Sequence, residues 1–300
     1  MTGRANGALQ SAAASVMWGA TGVWIVLLAS LTVRDILLYR FALSLLLMGA
    51  VMLLMRPRFM AASNIANNIA TPLANKNDIG AGVALFSYYA LTTAAFSLAN
   101  MVSVSLLVAT TPAFVMGAEW MRGKLPARAS MLGALLAFGG VVVLLAPAGF
   151  SPATAAAGRE YFGQLLALAS ALSMTAFSLF GRAPDAHAAG ASLWACLIGA
   201  AVLLLVAIGG GVPLTVAMPD ANQWLSLLGL AVFSTLAAAA CYGNACRLCG
   251  ATTAAVVRLS TPLFAALFLV AVFGGELSTR HFIAGALILL GASVVIMRRA

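Results

Sequence analysis

Charged side chains are scarce in this chain, and acidic ones are the scarcest. Only 8% of its 300 residues are charged, with seven Asp and Glu in all, while 63% are hydrophobic. A soluble domain carries about 25% charged residues, because it needs polar surface to cover its core. The composition therefore excludes an ordinary soluble domain and predicts an integral membrane protein.

Histidine and cysteine are also few. The two His residues, His187 and His281, lie at the ends of apolar runs, and neither H-E-x-x-H nor G-x-S-x-G occurs. Cys246 and Cys249 form a C-x-x-C, which a metal site could use, but no His is near and no second C-x-x-C exists. Small buried thiols are the favoured interpretation. The sequence predicts no catalytic residue, no metal, no cofactor and no enzyme activity.

The apolar runs are long enough to span a membrane as helices of about 20 residues. The first is longer than the core of a signal peptide, so we interpret it as a retained span. Ten spans are predicted, at 8–31, 36–55, 79–98, 101–121, 129–147, 161–181, 190–211, 222–246, 251–274 and 281–297.

The chain contains the same pattern twice. Thr111-Pro112 in span 4 recurs as Thr261-Pro262 in span 9, 150 residues later. The window GALLAFGGVVVLL at 133–145 likewise matches GALILLGASVVIM at 285–297 at six of 13 positions. We therefore predict a duplication, with a first five-helix repeat at 1–147, a linker at 148–160 and a second five-helix repeat at 161–300.

The net charge of +9 does not indicate nucleic-acid binding, because the basic residues alternate with spans instead of clustering on one domain. With a cytoplasmic N-terminus, three basic residues lie outside (Arg34, Arg159 and Arg280), whereas eleven lie inside. Those eleven are Arg4, Arg56, Arg58, Lys76, Arg122, Lys124, Arg128, Arg182, Arg247, Arg298 and Arg299. Both termini are thus predicted to be cytoplasmic.

Five spans per repeat is an odd number, so the second copy enters the membrane in the opposite sense. Inverted repeats are typical of secondary transporters, in which the two copies face each other around a substrate site. The predicted fold is all-α: ten transmembrane helices as two inverted five-helix repeats. The predicted mechanism is alternating access.

Several motifs together resemble a known family. They are Trp18-Gly19 in span 1, Arg40-Phe41 in span 2, the prolines of spans 4 and 9, a Gly-Glu-Leu turn at 275–277 and the window 285–297. The chain resembles the EamA-type ten-helix transporters of the drug/metabolite transporter superfamily. It departs from them at Lys124, which stands at the position matching Glu276.

The resemblance implies that helices 1–4 and 6–9 surround a central cavity, with helices 5 and 10 outside. It also implies a multi-pass protein of the bacterial inner membrane that exports metabolites. The aromatic amino-acid exporters of this family are similar in overall layout.

Arg258 is the most informative single residue, because it lies inside span 9 where a charge is costly. It could hold the carboxylate of a substrate, or its side chain could extend to the cytoplasmic interface. Its counterpart in the first repeat is Val108, so the fold does not require the charge. For Arg40, in span 2, pairing with Asp35 or extension to the interface is the favoured interpretation.

Aromatic and hydroxyl side chains within the spans could line an apolar cavity, although each alone could be packing or an interfacial anchor. Together with Arg258 they form the predicted substrate site: Trp18, Thr21, Tyr88, Thr92, Phe177, Trp194 and Tyr242. Pro112 and Pro262 remove a backbone donor within a span and bend the helix, with Thr111 and Thr261 able to bond the freed carbonyls. Both prolines are predicted hinges; static kinks are the alternative.

No acidic residue lies near the middle of a span, which predicts a facilitator with weak ion coupling at most. For Glu119 the sequence favours a local pair with Arg122. The predicted substrate is a small amphipathic metabolite, with aromatic or other hydrophobic amino acids first. Efflux of cationic drugs and a non-transport membrane protein are the alternatives. The expected partners are the substrate and lipid, with no nucleic acid, and the chain is expected to be a monomer.

Overall fold

The structure is a computed structural model that describes residues 2–59, 75–99, 101–125, 127–145, 157–183, 185, 187–209, 218–274 and 279–297. These residues form helices, and no strand occurs among them. The helices are α1 Thr2–Gly19, α2 Thr21–Leu27, α3 Val33–Phe59, α4 Lys76–Leu98, α5 Met101–Val108, α6 Thr111–Met121, α7 Arg128–Leu145, α8 Ala157–Phe180, α9 Ala188–Gly209, α10 Ala221–Gly229, α11 Ala238–Cys249, α12 Ala251–Val257, α13 Thr261–Phe273 and α14 Thr279–Met297. A π-helix, Leu230–Ala237, joins α10 to α11, and a 3₁₀ turn, Arg258–Ser260, joins α12 to α13.

Each predicted span coincides with one helix or with a run of consecutive helices. Within the described ranges, six helical stretches are long and apolar enough to cross a membrane, and two shorter apolar helices accompany them. The all-α membrane fold is therefore confirmed. The count of ten crossings and the cytoplasmic termini stay predictions. The Gly-Glu-Leu turn and residues 148–156 of the predicted linker 148–160 lie outside the described residues, and the last four residues of that linker form the start of α8.

The two predicted spans that contain Thr-Pro are each broken next to that element. α5 ends at Val108 and α6 begins at Thr111, while α12 ends at Val257 and α13 begins at Thr261. A proline cannot donate to the carbonyl four residues earlier, and the preceding threonine bonds that carbonyl instead. Thr111 Oγ1 donates to the Val108 carbonyl at 2.6 Å, and Thr261 Oγ1 to the Arg258 carbonyl at 2.8 Å. Both spans are therefore interrupted next to their proline, and the hinge role of Pro112 and Pro262 stays a prediction.

The two repeated windows pack directly against each other, in α7 and α14. A Cβ on Gly133 would lie 2.5 Å from the Gly291 carbonyl oxygen, and one on Gly140 would lie 2.8 Å from that of Ala284. Residues later in α7 thus meet residues earlier in α14, so the two helices run antiparallel. Glycine allows the backbones to approach this closely, as in many membrane helix pairs.

Long antiparallel contacts also hold the centre of the bundle, between α4 and α8 and between α1 and α11. Gly7 near the start of α1 packs on Cys249 at the end of α11, and Gly80 near the start of α4 packs on Phe180 at the end of α8. The starts of α1 and α4 therefore share one end of the bundle with the ends of α8 and α11. We call it the basic end, because Lys76, Arg182 and Arg247 lie there.

Candidate functional site

A cavity of about 310 Å³ lies between the broken spans, a volume suited to one small molecule. It is lined from Trp18 to Val26 along α1 and α2, from Tyr88 to Phe96 along α4, and from Ala255 to Ala265 along span 9. These stretches extend from the middle of each span away from the basic end. The cavity therefore occupies the half of the bundle remote from the basic end.

Aromatic rings form the inner wall of the cavity. The Trp18 ring lies 6.1 Å from that of Tyr88 and 5.4 Å from that of Tyr242, centroid to centroid. Behind this wall, Phe177 stacks on Tyr242 at 6.0 Å, and the Tyr242 hydroxyl lies 2.9 Å from Ser178 Oγ. Tyr242 and Phe177 are fully buried. The wall therefore separates the cavity from the basic end and offers flat apolar surfaces to a ligand.

Arg258 lies at this wall with 6% of its surface exposed. Its guanidinium carbon is 5.6 Å from the centroid of Trp18 and 5.8 Å from that of Tyr242. One terminal nitrogen donates to Thr111 Oγ1 at 2.9 Å, whereas the buried Nε has no hydrogen-bond partner among the residues that the structure describes. The side chain thus remains in the cavity wall and does not extend to the interface. It can offer an N–H to an anionic ligand.

The π-helix Leu230–Ala237 supplies a shared acceptor beside the cavity. In a π-helix the backbone bonds run from i to i+5, and such segments often occur at functional sites. The Ser234 carbonyl accepts from Trp18 Nε1 at 2.9 Å, from the Tyr89 hydroxyl at 3.0 Å and from Arg40 Nη2 at 3.4 Å. Three lining residues are therefore positioned by one backbone oxygen.

The predicted pairing of Arg40 with Asp35 is wrong, because residues five apart on a helix are about 140° apart around its axis. Asp35 bonds instead to Arg34 at 3.3 Å and to the Thr32 hydroxyl at 2.7 Å. Arg40 lines the cavity, 3% exposed, with its guanidinium carbon 3.9 Å from the centroid of Tyr89. Its Nε donates to Thr235 Oγ1 at 2.6 Å.

The predicted pairing of Glu119 with Arg122 is also wrong. α6 ends at Met121, so Arg122 leaves the helix and is exposed, whereas Glu119 faces the bundle. Glu119 bonds Arg182 at 2.7 Å and the Thr252 hydroxyl at 2.5 Å. This cluster joins α6, the end of α8 and the start of α12 at the basic end.

A second polar cluster closes the same end. Asp78, fully buried at the start of α4, accepts from the His187 backbone N–H at 2.6 Å and lies 3.2 Å from its Nδ1. Asn77 bonds the Asp185 carboxylate at 2.9 Å. Side chains of the first half thus contact the segment between α8 and α9 at the basic end.

Five of the eight predicted site residues line the cavity together: Trp18, Thr21, Tyr88, Thr92 and Arg258. Tyr242 and Phe177 lie behind the wall, and Trp194 packs against Gly82 on α4, away from the cavity. Of the predicted hinges, Pro262 lines the cavity and Pro112 does not.

Sequence reasoning missed Arg40, Tyr89 and the π-helix as parts of this site. The charge of Arg40 within a span was the available signal. Nothing in the local pattern of 230–237 distinguishes a π-helix from an α-helix. The predicted burial of these thiols is confirmed, because Cys246 and Cys249 are both buried.

Comparison with known proteins identifies the family of the second half. Residues 161–297 match the model of the EamA-like transporter family. This match confirms the resemblance to the transporters of the drug/metabolite transporter superfamily that the motifs indicated. No curated protein matches the chain.

A solved structure, described only as a protein, resembles the whole chain with a TM-score of 0.77. It is 22% identical, and the match covers 98% of each chain. At this identity the likeness shows the fold alone. The first half, which the family model does not match, is thus included in the shared fold.

Proposed function

We propose that the protein is a secondary transporter that moves small amphipathic metabolites across the bacterial inner membrane by alternating access. The expected substrates carry a carboxylate beside an apolar or aromatic group, with aromatic and other hydrophobic amino acids first. The observation that carries this proposal is the aromatic cavity with Arg258 in its wall, where the Nε of Arg258 has no hydrogen-bond partner in the described part of the chain.

The arrangement of the halves supports alternating access. The cavity occupies one half of the bundle, while the polar clusters of Glu119 and Asp78 join the helices at the basic end. The broken spans carry the same Thr-Pro element in each half, and α7 and α14 run antiparallel, as inverted copies would. In this proposal the structure is closed at its cytoplasmic side, which is the basic end.

Efflux of cationic compounds finds less support. A cation is commonly held by a carboxylate or an aromatic cage. Of the described residues, those that line the cavity include two arginines and no Asp or Glu. A positive substrate would therefore meet two like charges next to the aromatic wall.

Counterflow of labelled phenylalanine in proteoliposomes tests the proposal. Arg258→Ala and Tyr242→Ala should abolish most of the flux, because the first removes the anion donor and the second collapses the wall. The matched controls Arg128→Ala and Tyr161→Ala change exposed residues at helix starts and should retain flux. Unchanged flux in both cavity variants would contradict this site.

The hinge role of the prolines is part of the same proposal. Pro262→Ala restores a backbone donor after the 3₁₀ turn and should slow exchange across the membrane by a larger factor than it weakens substrate binding at this lining position. The exchange rate and the dissociation constant are measured on the same preparation. An unchanged rate in a well-folded variant would leave the kinks as static features of the cavity.

A further inference from the structure

Two buried arginines line the same cavity from opposite repeats. Arg40 comes from α3 and Arg258 from the 3₁₀ turn of span 9, and more than nine-tenths of each is buried. Trp18 connects them, since Arg258 lies over its ring and Arg40 shares its acceptor, the Ser234 carbonyl. Both charges are therefore close to any ligand held against this indole.

Neither arginine has an acidic partner among the residues that the structure describes. Arg40 contacts a hydroxyl, a carbonyl and the face of Tyr89, while Arg258 contacts the Thr111 hydroxyl and two aromatic faces. None of the acidic residues that the structure describes contacts either arginine. They are six of the seven in the chain: Asp35, Asp78, Glu119, Glu160, Asp185 and Asp220.

Uncompensated guanidinium groups favour a ligand that brings negative charge. Arginine stays protonated in proteins, and a buried cation without an anion is unfavourable. A carboxylate bound at Arg258 offsets this cost. An amino acid also brings an ammonium group, two bonds from its carboxylate carbon, into the field of both arginines, and the lining has no acid to hold it.

We infer that the cavity prefers organic anions whose apolar or aromatic body carries a carboxylate and no ammonium group, with Arg40 as a second anion-binding residue beside Arg258. This inference rests on the proposed transport function and ranks substrates within it. Amino acids remain ligands, but they bind less tightly than the acid of the same skeleton.

Three compounds with one phenylethyl skeleton test the preference: 3-phenylpropanoate, phenylalanine and 2-phenylethylamine. Their dissociation constants are measured on the purified full-length protein by titration calorimetry. We expect 3-phenylpropanoate to bind at least about tenfold tighter than phenylalanine, and phenylethylamine to bind weakest. The same order should appear when each compound competes for phenylalanine counterflow.

Variants at Arg40 separate its charge from its hydrogen bonds. Arg40→Gln should weaken the binding of 3-phenylpropanoate by about tenfold and that of phenylalanine by less. The difference in affinity between the two compounds should therefore become smaller. Arg40→Lys keeps the charge, loses the planar set of donors, and should retain most of the preference. Arg128→Gln, an exposed change, serves as the matched control.

The outcomes distinguish this inference from the function on which it rests. If phenylalanine binds as tightly as 3-phenylpropanoate, or more tightly, the preference is wrong and the proposed transport of amino acids stands. If phenylethylamine binds best, or no carboxylate binds and counterflow is absent, both fail. If Arg40→Gln keeps the full difference in affinity between 3-phenylpropanoate and phenylalanine, Arg40 is not an anion-binding residue.

Discussion

Trp18 and Ser234 are joined across the two halves of the chain, with the indole Nε1 2.9 Å from the Ser234 carbonyl oxygen. The two halves also meet at Thr21, whose hydroxyl donates to Ser234 Oγ at 2.9 Å. Ser234 lies in the π-helix, and Trp18 lies just before the break between α1 and α2. An irregular segment of each half is thus held by the other half, next to the cavity.

Trp18→Phe should test this connection, because it keeps an aromatic ring and removes the only indole donor to Ser234. We expect a lower thermal unfolding midpoint, in line with a loss of about 1 kcal/mol for one buried hydrogen bond. Ligand affinity should fall as well, since Arg258 loses part of its aromatic face. Trp120→Phe, at an exposed position, is the control and should change neither quantity.

Thr111 and Thr261 make equivalent bonds to the backbone, but only Thr111 also accepts from Arg258. Thr111→Val should therefore weaken the binding of a carboxylate ligand by about five- to tenfold, because Arg258 loses the hydroxyl that orients it. Thr261→Val should cost similar stability and lower affinity less, although Thr261 itself lines the cavity. Equal losses of affinity in the two variants would show that Thr111 acts on the kink alone.

The sequence was most informative where a physical rule acts along the chain. Span lengths follow from apolar runs, and the breaks follow from the missing donors of Pro112 and Pro262. Comparing the copies also distinguished Arg258 from Val108. Each of these inferences needs only the order of residues.

The partners of charged residues could not be predicted, because they come from distant segments. Arg40 reaches Thr235, 195 positions away, and Glu119 reaches Thr252, 133 positions away. Local pairing rules favour near neighbours, and here Asp35 points to another face of its helix. The position of an aromatic residue along a span does not determine which way its ring faces. Trp194, for example, packs against a neighbouring helix and not the cavity.

Gly133 and Gly139 provide a matched pair in α7. A methyl group on Gly133 would overlap Gly291 and Val295 of α14, whereas nothing lies within 4 Å of a methyl group on Gly139. Gly133→Ala should lower the free energy of unfolding by about 1–3 kcal/mol through separation of the two helices. Gly139→Ala should be neutral or slightly stabilising, as helix propensity predicts. The two stabilities are compared with that of the parent protein by thermal unfolding in detergent.

An imposed pH gradient should leave uptake nearly unchanged, because the lining residues that the structure describes include no carboxylate or imidazole to carry a proton. Uptake of a labelled substrate into proteoliposomes is measured with the gradient in each direction. We expect less than about a twofold difference, and no effect of Glu119→Gln on this ratio. Many-fold acceleration that is lost in Glu119→Gln would instead make Glu119 a proton carrier.

The Glu119 cluster should hold the basic end closed, since it ties α6 to the end of α8 and the start of α12. A native thiol reports on this closure. Cys246 is 1% exposed and lies one turn from Tyr242, toward the basic end. Opening of the basic end should expose it to N-ethylmaleimide.

We therefore expect Glu119→Ala and Arg182→Gln to raise the labelling rate of Cys246 several-fold, as loss of about 1 kcal/mol from a partly buried pair implies. Arg122→Gln is the decisive control, because Arg122 is the partner that local spacing predicts and the structure leaves exposed. Equal labelling in all three variants and the parent protein would show that the cluster does not control closure. Faster labelling of Cys246 in Arg122→Gln would instead indicate that the pair of Glu119 with Arg122 controls closure.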